Sequence, residues 1–269
     1  MPHLTPSSDR SRRYPPLPVG HPAPSQGAPC HQLLAKLESI AELSAEDKQA
    51  LMALPMASAT FGADADIHRE GDRPSRCCLL VDGFVCRYRL LGSGQRQIIS
   101  FHTPGDIFDL QSLHLAVMDH SAAALVPSQV AFIPHQALQE LIRQYPRIAA
   151  ALWREALIDA AIFREWIVGL GRRTAYGRIA HLFCELAHKL KAVGLAEDTI
   201  FELPITQVEL ADALGLSSVH VNRVLQQLRA DGLIRWQGSI LAILDWERLK
   251  QAGEFDPAYL HQDQGGSTS

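Results

Sequence analysis

Residues 206–225 read TQVELADALGLSSVHVNRVL, a stretch in which small and apolar residues fall where two crossing helices must touch. Ala211 lets two helices approach closely, and Gly215 supplies the backbone freedom that a tight turn needs. The wedge between the helices would be filled by apolar side chains, namely Leu210, Leu214, Leu216, Val221 and Val224. This spacing predicts a helix-turn-helix motif.

Polar residues stand where each of these two helices would begin. Thr206 can cap the first helix together with Glu209 three residues later, and Ser217 can cap the second. When the apolar positions of the second helix turn inward, its outer face presents Ser218, Val219, Asn222, Arg223 and Gln226. A face of this kind can enter the major groove of DNA.

Two short strands are predicted directly after the second helix. Ala230-Asp-Gly232 ends the helix, and residues 233–236 and 239–244 are β-rich runs around a Gln237-Gly238 turn. A winged helix-turn-helix is the economical interpretation. The alternative is a helical hairpin inside an ordinary bundle, which the following strands make less favourable.

Composition predicts a two-domain protein. The chain has 269 residues and is 47% hydrophobic, enough for two cores of ordinary size. No apolar run approaches the ~20 residues that cross a bilayer, and Arg12-Arg13 is not followed by an apolar segment, so we expect a cytoplasmic protein with no membrane partner. The five cysteines have no regular spacing, which predicts reduced thiols.

The charge balance argues against strong non-specific DNA binding. The formal net charge is −4, and residues 204–238 oppose their arginines with Glu209, Asp212 and Asp231. Because few cations can face DNA phosphates, we expect the DNA affinity to depend only weakly on salt concentration. Affinity would then come from dimerisation, helix N-termini and base contacts.

The N-terminal half is predicted to hold a tail and a sensor domain. Residues 1–29 are rich in proline and serine and are expected to be disordered. A C-terminal tail is placed over residues 250–269, of which the stretch after Leu260 is expected to be equally loose. Residues 30–135 begin with two short helices, the second capped by Ser44. Turn signals then recur about every ten residues from Thr60 to Pro134, which predicts a small antiparallel barrel or roll.

A long helix with one apolar seam is predicted next, within a segment over residues 136–171. The seam recurs at alternating steps of three and four and consists of Trp153, Ala156, Ala160, Phe163, Ile167 and Leu170. Two such helices can pair as a coiled coil, and the alternative is a single helix buried against its own domain. Leu152 and Leu157 lie off the seam and are expected to cover the barrel. Gly169 and Gly171 predict an interruption and a hinge before a DNA-binding domain over residues 172–249.

This order of elements resembles the Crp/Fnr family of bacterial transcription regulators, over about residues 31–249. The likeness is carried by the helix-turn-helix, the seam helix and four short motifs, namely Arg69-Glu-Gly-Asp72, Val81-Asp-Gly83, Pro104-Gly-Asp106 and Gly177-Arg-Ile-Ala180. The resemblance implies an α+β fold with an N-terminal cyclic-nucleotide-binding-like β-roll, a long dimerisation helix and a C-terminal winged helix-turn-helix. It implies a homodimer on a palindromic operator of double-stranded DNA, with RNA polymerase as a further partner of an activator.

The resemblance also implies roles on the second helix. Ser218, Val219 and Arg223 occupy its base-reading positions, with Asn222 beside them, whereas Thr206, Ser217 and His220 fall at phosphate contacts. Family members usually carry a glutamate where Val219 stands. Valine can instead touch a thymine methyl group, Arg223 can pair with guanine and Asn222 with adenine.

The effector pocket implied by the resemblance departs from the cyclic-nucleotide pattern. Its residues are Gly105, Asp106, Asp109, Leu110, His120 and Ser121. Leu110 replaces the carboxylate that holds the ribose, and His120 replaces the arginine that grips the cyclic phosphate. Without a guanidinium fork the anion loses its strongest partner, so we expect an effector other than cAMP.

No cofactor can be named from the sequence. Iron–sulfur members need four converging cysteines, whereas Cys77 and Cys78 are adjacent on a predicted strand and point to opposite faces. Histidines and carboxylates around the pocket can ligate a metal or haem, but an ordinary polar loop is favoured because no tight ligand spacing occurs. No catalytic constellation is present, which predicts a non-enzyme. The alternative function is a small-molecule or metal-binding sensor module with a degenerate DNA-binding domain.

Overall fold

The computed structural model of the chain describes residues 29–262. The tail predicted over residues 1–29 lies outside this range apart from Pro29, as do residues 263–269. Two short helices open the described chain, α1 (Cys30–Glu38) and α2 (Ala45–Met52). As predicted, Ser44 caps α2: its hydroxyl accepts from the Asp47 amide, and the Asp47 carboxylate accepts from the Ser44 amide.

Seven strands form an antiparallel β-roll from two sheets. They are β1 (Ala57–Phe61), β2 (Asp66–His68), β3 (Arg76–Asp82), β4 (Val85–Leu90), β5 (Arg96–His102), β6 (Ser121–Ala124) and β7 (Ser128–Pro134). The first sheet has the order β1-β7-β3 and the second β2-β6-β4-β5. A 3-10 turn at Leu110–Leu113 lies between β5 and β6.

The interior of the roll is a small apolar cluster shared by the two sheets. It contains Cys78, Leu80, Val85, Phe108, Ala122, Val130 and Phe132. Cys77 packs instead into the larger core that continues through the helices, so the two adjacent thiols face opposite sides of β3 as expected. The turn glycines are required by the backbone: Gly105 has a φ of +99°, and a Cβ there would lie 2.7 Å from the Gln32 carbonyl oxygen.

The connection from the roll to the C-terminal half is helical. α3 (His135–Gln144) is followed by the 27-residue helix α4 (Pro146–Arg172). The interruption predicted at Gly169 and Gly171 does not occur, because α4 continues through both glycines and ends at Arg172. Glycine lowers helix stability without forbidding the helical backbone, and Gly169 is buried where α4 passes the next helix.

The C-terminal half is a winged helix-turn-helix. It contains α5 (Ala175–Ala192), β8 (Ala196–Glu197), β9 (Ile200–Glu202), α6 (Gln207–Leu214), α7 (Ser218–Ala230), β10 (Ile234–Gln237), β11 (Ile240–Ile243) and α8 (Trp246–Gly253). The two predicted wing strands are β10 and β11, and β9 and β8 extend them into a sheet of order β10-β11-β9-β8. Both added strands are too short to show a periodic pattern in the sequence.

The C-terminal boundary predicted at residue 249 differs from the structure. α8 continues to Gly253, and a 3-10 turn at Pro257–Leu260 follows. Leu249, Phe255 and Leu260 are all buried, because this segment packs on α5 and α4. Phe255 and Tyr259 lie four residues apart, a spacing that indicates packing of this segment. The loose composition after Leu260 hid this signal in the sequence.

Candidate nucleic-acid interface and sensor pocket

The helix-turn-helix is held by the capping interactions that its sequence predicts. The Thr206 hydroxyl accepts from the Glu209 amide at 3.2 Å, and the Glu209 carboxylate accepts from the Thr206 amide at 2.6 Å. Gly215 ends α6 in the left-handed conformation, with φ at +61°. The Ser217 hydroxyl then accepts from the His220 amide and starts α7. The turn between α6 and α7 is therefore fixed at both ends.

The outer face of α7 is open to solvent. Its inner side chains are buried against α5 and α6, namely Val221, Val224, Leu225 and Leu228. All residues assigned to DNA by the resemblance lie on the exposed side of the motif: Ser218, Val219, Asn222 and Arg223 for bases, and Thr206, Ser217 and His220 for phosphates. Val219 is the apolar side chain of this face and is 70% exposed.

The three acidic residues that offset the arginines in the sequence each have a partner within the protein. Glu209 is buried in the α6 cap. Asp212 forms a 2.8 Å ion pair with Arg96 of the roll, and Asp231 accepts from the Tyr176 hydroxyl at 2.7 Å. Of these three carboxylates, only that of Asp212 is paired with a cation of the described chain.

The predicted seam of α4 is a solvent-facing apolar face. Trp153 and Ile167 are 70% and 69% exposed, Ala156 and Leu170 are exposed, and Ala160 and Phe163 are half-buried. Leu152 packs into the core as expected, whereas Leu157 was predicted to cover the barrel and is exposed on the seam side with Val168. Leu157 follows Trp153 by one helical turn, so it shares that face.

The residues of the predicted effector pocket interact with different parts of the protein. The Asp109 carboxylate accepts from the Cys78 amide at 2.6 Å, and the Ser121 hydroxyl accepts from the Glu70 amide. His120 interacts through Nδ1 with Asp119 and through Nε2 with Gln111. Gly105, Asp106 and Leu110 lie on the neighbouring segment, where Asp106 and Leu110 line a cavity between the roll and α4.

Arg87 occupies the interior side of the roll near this pocket. Its guanidinium donates to the Phe108 carbonyl oxygen at 2.5 Å and forms a 2.6 Å ion pair with Asp159 of α4. Burial works against the charged form of Asp159, yet Arg87 holds its pKa below the usual range. The sequence analysis missed Arg87, although its position two residues after Val85 on an inward-facing strand was a usable signal.

Asp106 is the centre of a buried charge cluster. Lys36 lies 3.0 Å from Oδ1, Lys189 3.5 Å from Oδ2, and Nδ1 of His102 3.4 Å from Oδ2. Burial alone would raise the pKa of Asp106, but Lys189 and Lys36 hold it well below its ordinary value. Lys36 also contacts Glu155 of α4 at 3.2 Å. The cluster therefore joins α1, the roll, α4 and α5.

The cysteines and histidines of the described chain do not converge. All five cysteines are free and buried, and burial raises the pKa of Cys77, Cys86 and Cys184 to about 12. Across residues 29–262, no three His, Cys, Asp or Glu side chains are grouped so that they could hold a metal ion. None of the helices in this range has the length and hydropathy of a membrane span.

Comparisons with known proteins agree with this architecture. The family model of the cyclic nucleotide-binding domain matches residues 58–145, and the family model of the Crp-like helix-turn-helix domain matches residues 177–252. The nitrogen fixation regulation protein FixK of Rhizobium meliloti is 31% identical over 185 residues, covering 68% of this chain and 80% of FixK. This chain belongs to the Crp/Fnr family. The transcriptional activator protein anr of Pseudomonas aeruginosa is 28% identical over 179 residues, covering 66% and 73% of the two chains.

A solved Crp/Fnr structure shares the fold. FixK2 from Bradyrhizobium japonicum superimposes with a TM-score of 0.67 at 26% identity, covering 74% of this chain and 98% of FixK2. The Crp/Fnr assignment and the exposed α7 agree on one function. The protein is a sequence-specific, DNA-binding transcription regulator.

Proposed function

We propose that this regulator acts as a homodimer paired along α4, and that it activates transcription from a palindromic operator through contact with RNA polymerase. The apolar seam of α4 supports the dimer, because large apolar side chains spaced along one helix face are unfavourable in water unless a partner covers them. The names of several relatives, among them anr, describe activators.

In the proposed complex each α7 enters the major groove of one half-site, and the half-sites lie one duplex turn apart. Arg223 pairs with guanine, Asn222 with adenine, Val219 touches a thymine methyl group and Ser218 lies beside them. Thr206, Ser217 and His220 contact phosphates. Since Val219 cannot accept a hydrogen bond from cytosine, the half-site differs from that of family members with glutamate. An unbiased selection from random duplexes tests this, and recovery of the glutamate-type half-site unchanged contradicts it.

The domain roles follow the same proposal. Residues 30–135 sense an effector, residues 136–171 dimerise and residues 172–249 bind DNA, with the packed segment to Leu260 belonging to the last of these. The effector is not a cyclic nucleotide, because Arg87 is committed to Asp159 and the phosphate and ribose positions carry His120 and Leu110. Titration with cAMP should leave operator affinity unchanged.

Arg223→Ala tests the reading face directly. The loss of one good base contact should weaken operator binding by about 1–3 kcal/mol and relax the preference at one base pair. Arg143→Ala, an equal change of charge on α3, should bind like the wild type. Quantitative footprinting measures both. Equal operator affinity of the two variants would show that α7 does not read bases.

A further inference from the structure

A cavity of about 660 Å³ lies between the roll, the 107–115 segment and helices α3 and α4. Its apolar wall includes Ile107, Leu110, Ile142, Leu152, Trp153 and Ala156. The interior of the roll, by contrast, is filled by its own apolar cluster. Of the residues that the family resemblance assigned to an effector, Asp106 and Leu110 line this cavity, whereas Gly105, Asp109, His120 and Ser121 do not.

The lysines and arginine that line this cavity are already neutralised within the protein. Lys36 contacts Asp106 and Glu155, Arg87 contacts Asp159, and Lys189 contacts Asp106 and the Phe101 carbonyl oxygen. Their side chains are only 5–7% exposed. Among the described lining residues, no lysine or arginine therefore offers an unpaired charge to an anionic ligand.

Two carboxylates on α4 have more open surface than these cations. Glu155 and Asp159 stand one helical turn apart, with side chains 17% and 28% exposed. Arg87 engages Oδ2 of Asp159, which leaves Oδ1 without a hydrogen-bond donor within residues 29–262. The Oε2 atom of Glu155 is buried and likewise has no hydrogen-bond partner in this range, while its Oε1 contacts Lys36. Each carboxylate therefore keeps one oxygen free to accept from a donor bound in the cavity.

We propose that this cavity binds an organic ammonium ion. Asp159 pairs with the ammonium group, Glu155 adds negative potential and the apolar wall takes the hydrocarbon body of the ligand. Trp153 stands at the rim with an exposed indole, which attracts a cation through its π-face. The inference deepens the proposed sensor function by naming the chemical class of its effector.

The position of the cavity connects such a ligand to DNA binding. Trp153 and Ala156 belong both to the cavity wall and to the seam of α4, so the second chain of the proposed dimer lies beside the bound ligand. On the opposite side, the Lys36–Asp106–Lys189 cluster links the cavity floor to α5 of the DNA-binding domain.

Isothermal titration calorimetry of the full chain tests the site with two probes of similar shape and opposite charge. 2-Phenylethylammonium should bind saturably, one per chain, whereas 3-phenylpropionate should give no binding heat. Asp159→Asn and Glu155→Gln should each weaken ammonium binding about tenfold or more. Glu140→Gln, the same change of charge on α3 outside the cavity, should not. Ala150→Phe places a large side chain at the cavity wall and should abolish binding without any change of charge.

The outcomes separate this inference from the proposed function. Absence of ammonium heat, equal or tighter binding of the carboxylate, or wild-type affinity in both acidic variants overturns the ammonium site. Sedimentation and operator binding, measured on the same preparation, report the dimer and its DNA contact independently. If an acidic variant does not fold, by circular dichroism, the comparison of the two probes on the wild type and on Ala150→Phe decides.

Discussion

His68 illustrates how a single buried side chain makes stability depend on pH. Its ring packs between Phe108 and His120, and neither ring nitrogen has a hydrogen-bond partner within residues 29–262. Burial, helped by the charge of His120 and Arg87, lowers its pKa to about 4. The folded protein therefore keeps this imidazole neutral at a pH where the unfolded chain protonates it.

His68→Leu should remove that acid sensitivity. Because the folded pKa is depressed, the contribution to stability is present above pH 6.5 and is lost as pH falls toward 4. Between pH 7 and pH 5 the wild type should lose about 1–2 kcal/mol more of its unfolding free energy than the variant. Urea unfolding at both values measures this, with the exposed His31→Leu as the control. An identical pH dependence of wild type and His68→Leu would show that His68 is not held neutral.

Residue-scale chemistry was predictable where it is local in sequence. Spacings of one to four residues predict both helix caps of the helix-turn-helix and the left-handed Gly215. They also predict that Cys77 and Cys78 face opposite sides of β3. The pairing of Arg87 with Asp159 spans 72 residues, and that of Lys189 with Asp106 spans 83. Such contacts depend on the packing of whole elements, which no single-sequence periodicity encodes.

At the scale of elements, α4 is the helix on which the proposed dimer depends. Ile167→Glu introduces a charge into the seam that two chains would have to bury together, which is strongly unfavourable for an unpaired carboxylate. Trp153→Ala removes a large apolar contact at the other end of the seam. We expect Ile167→Glu to be a folded monomer. We expect the Trp153→Ala dimer to dissociate at a higher protein concentration than the wild-type dimer, as measured by sedimentation equilibrium.

The matched control for the seam is Leu195→Glu, which changes an exposed leucine in the loop after α5, away from α4. It should remain dimeric. If Ile167→Glu associates with the wild-type constant, the exposed face of α4 is not the dimer interface.

The glycines of α4 and of the reading motif should respond oppositely to alanine. Gly171 lies in a helical conformation with open space where a Cβ would be, so Gly171→Ala should stabilise the protein by about 0.5–1 kcal/mol. Gly215 has a φ of +61°, so Gly215→Ala should destabilise it by about 1 kcal/mol or more. Denaturant titration of both variants measures the signs. Destabilisation by Gly171→Ala would indicate that α4 bends at this point, as the sequence analysis expected.

Element-scale prediction succeeded for periodic segments and failed for short or interrupted ones. The order of roll, long helix and winged motif is as predicted, and α2 begins at its expected cap. The strands β8 and β9 were not predicted, because two and three residues are too few to show an alternating hydrophobic pattern. The interruption predicted at Gly169 did not occur, since burial of α4 against α5 outweighs the helix propensity of one residue.

Across the whole molecule, several side-chain contacts join the DNA-binding domain to the sensor and α4. Lys189 of α5 reaches Asp106 and the Phe101 carbonyl of the roll, and Arg96 of β5 pairs with Asp212 of α6. Glu185 of α5 accepts hydrogen bonds from Trp166 of α4 and from Tyr259 of the C-terminal turn. These contacts join the sensor, α4 and the DNA-binding domain directly.

The distance between the two α7 helices in a DNA-bound dimer tests the central claim most directly. Because all five native cysteines are buried and their pKa values are raised where a shift is found, Gln227→Cys provides a single exposed labelling site on α7. Double electron–electron resonance on the spin-labelled protein with its operator should give one distance of roughly 30–40 Å, the separation of half-sites one duplex turn apart. Absence of dipolar coupling, or a distance well outside this range, would contradict a dimer that pairs along α4 and reads DNA with both α7 helices.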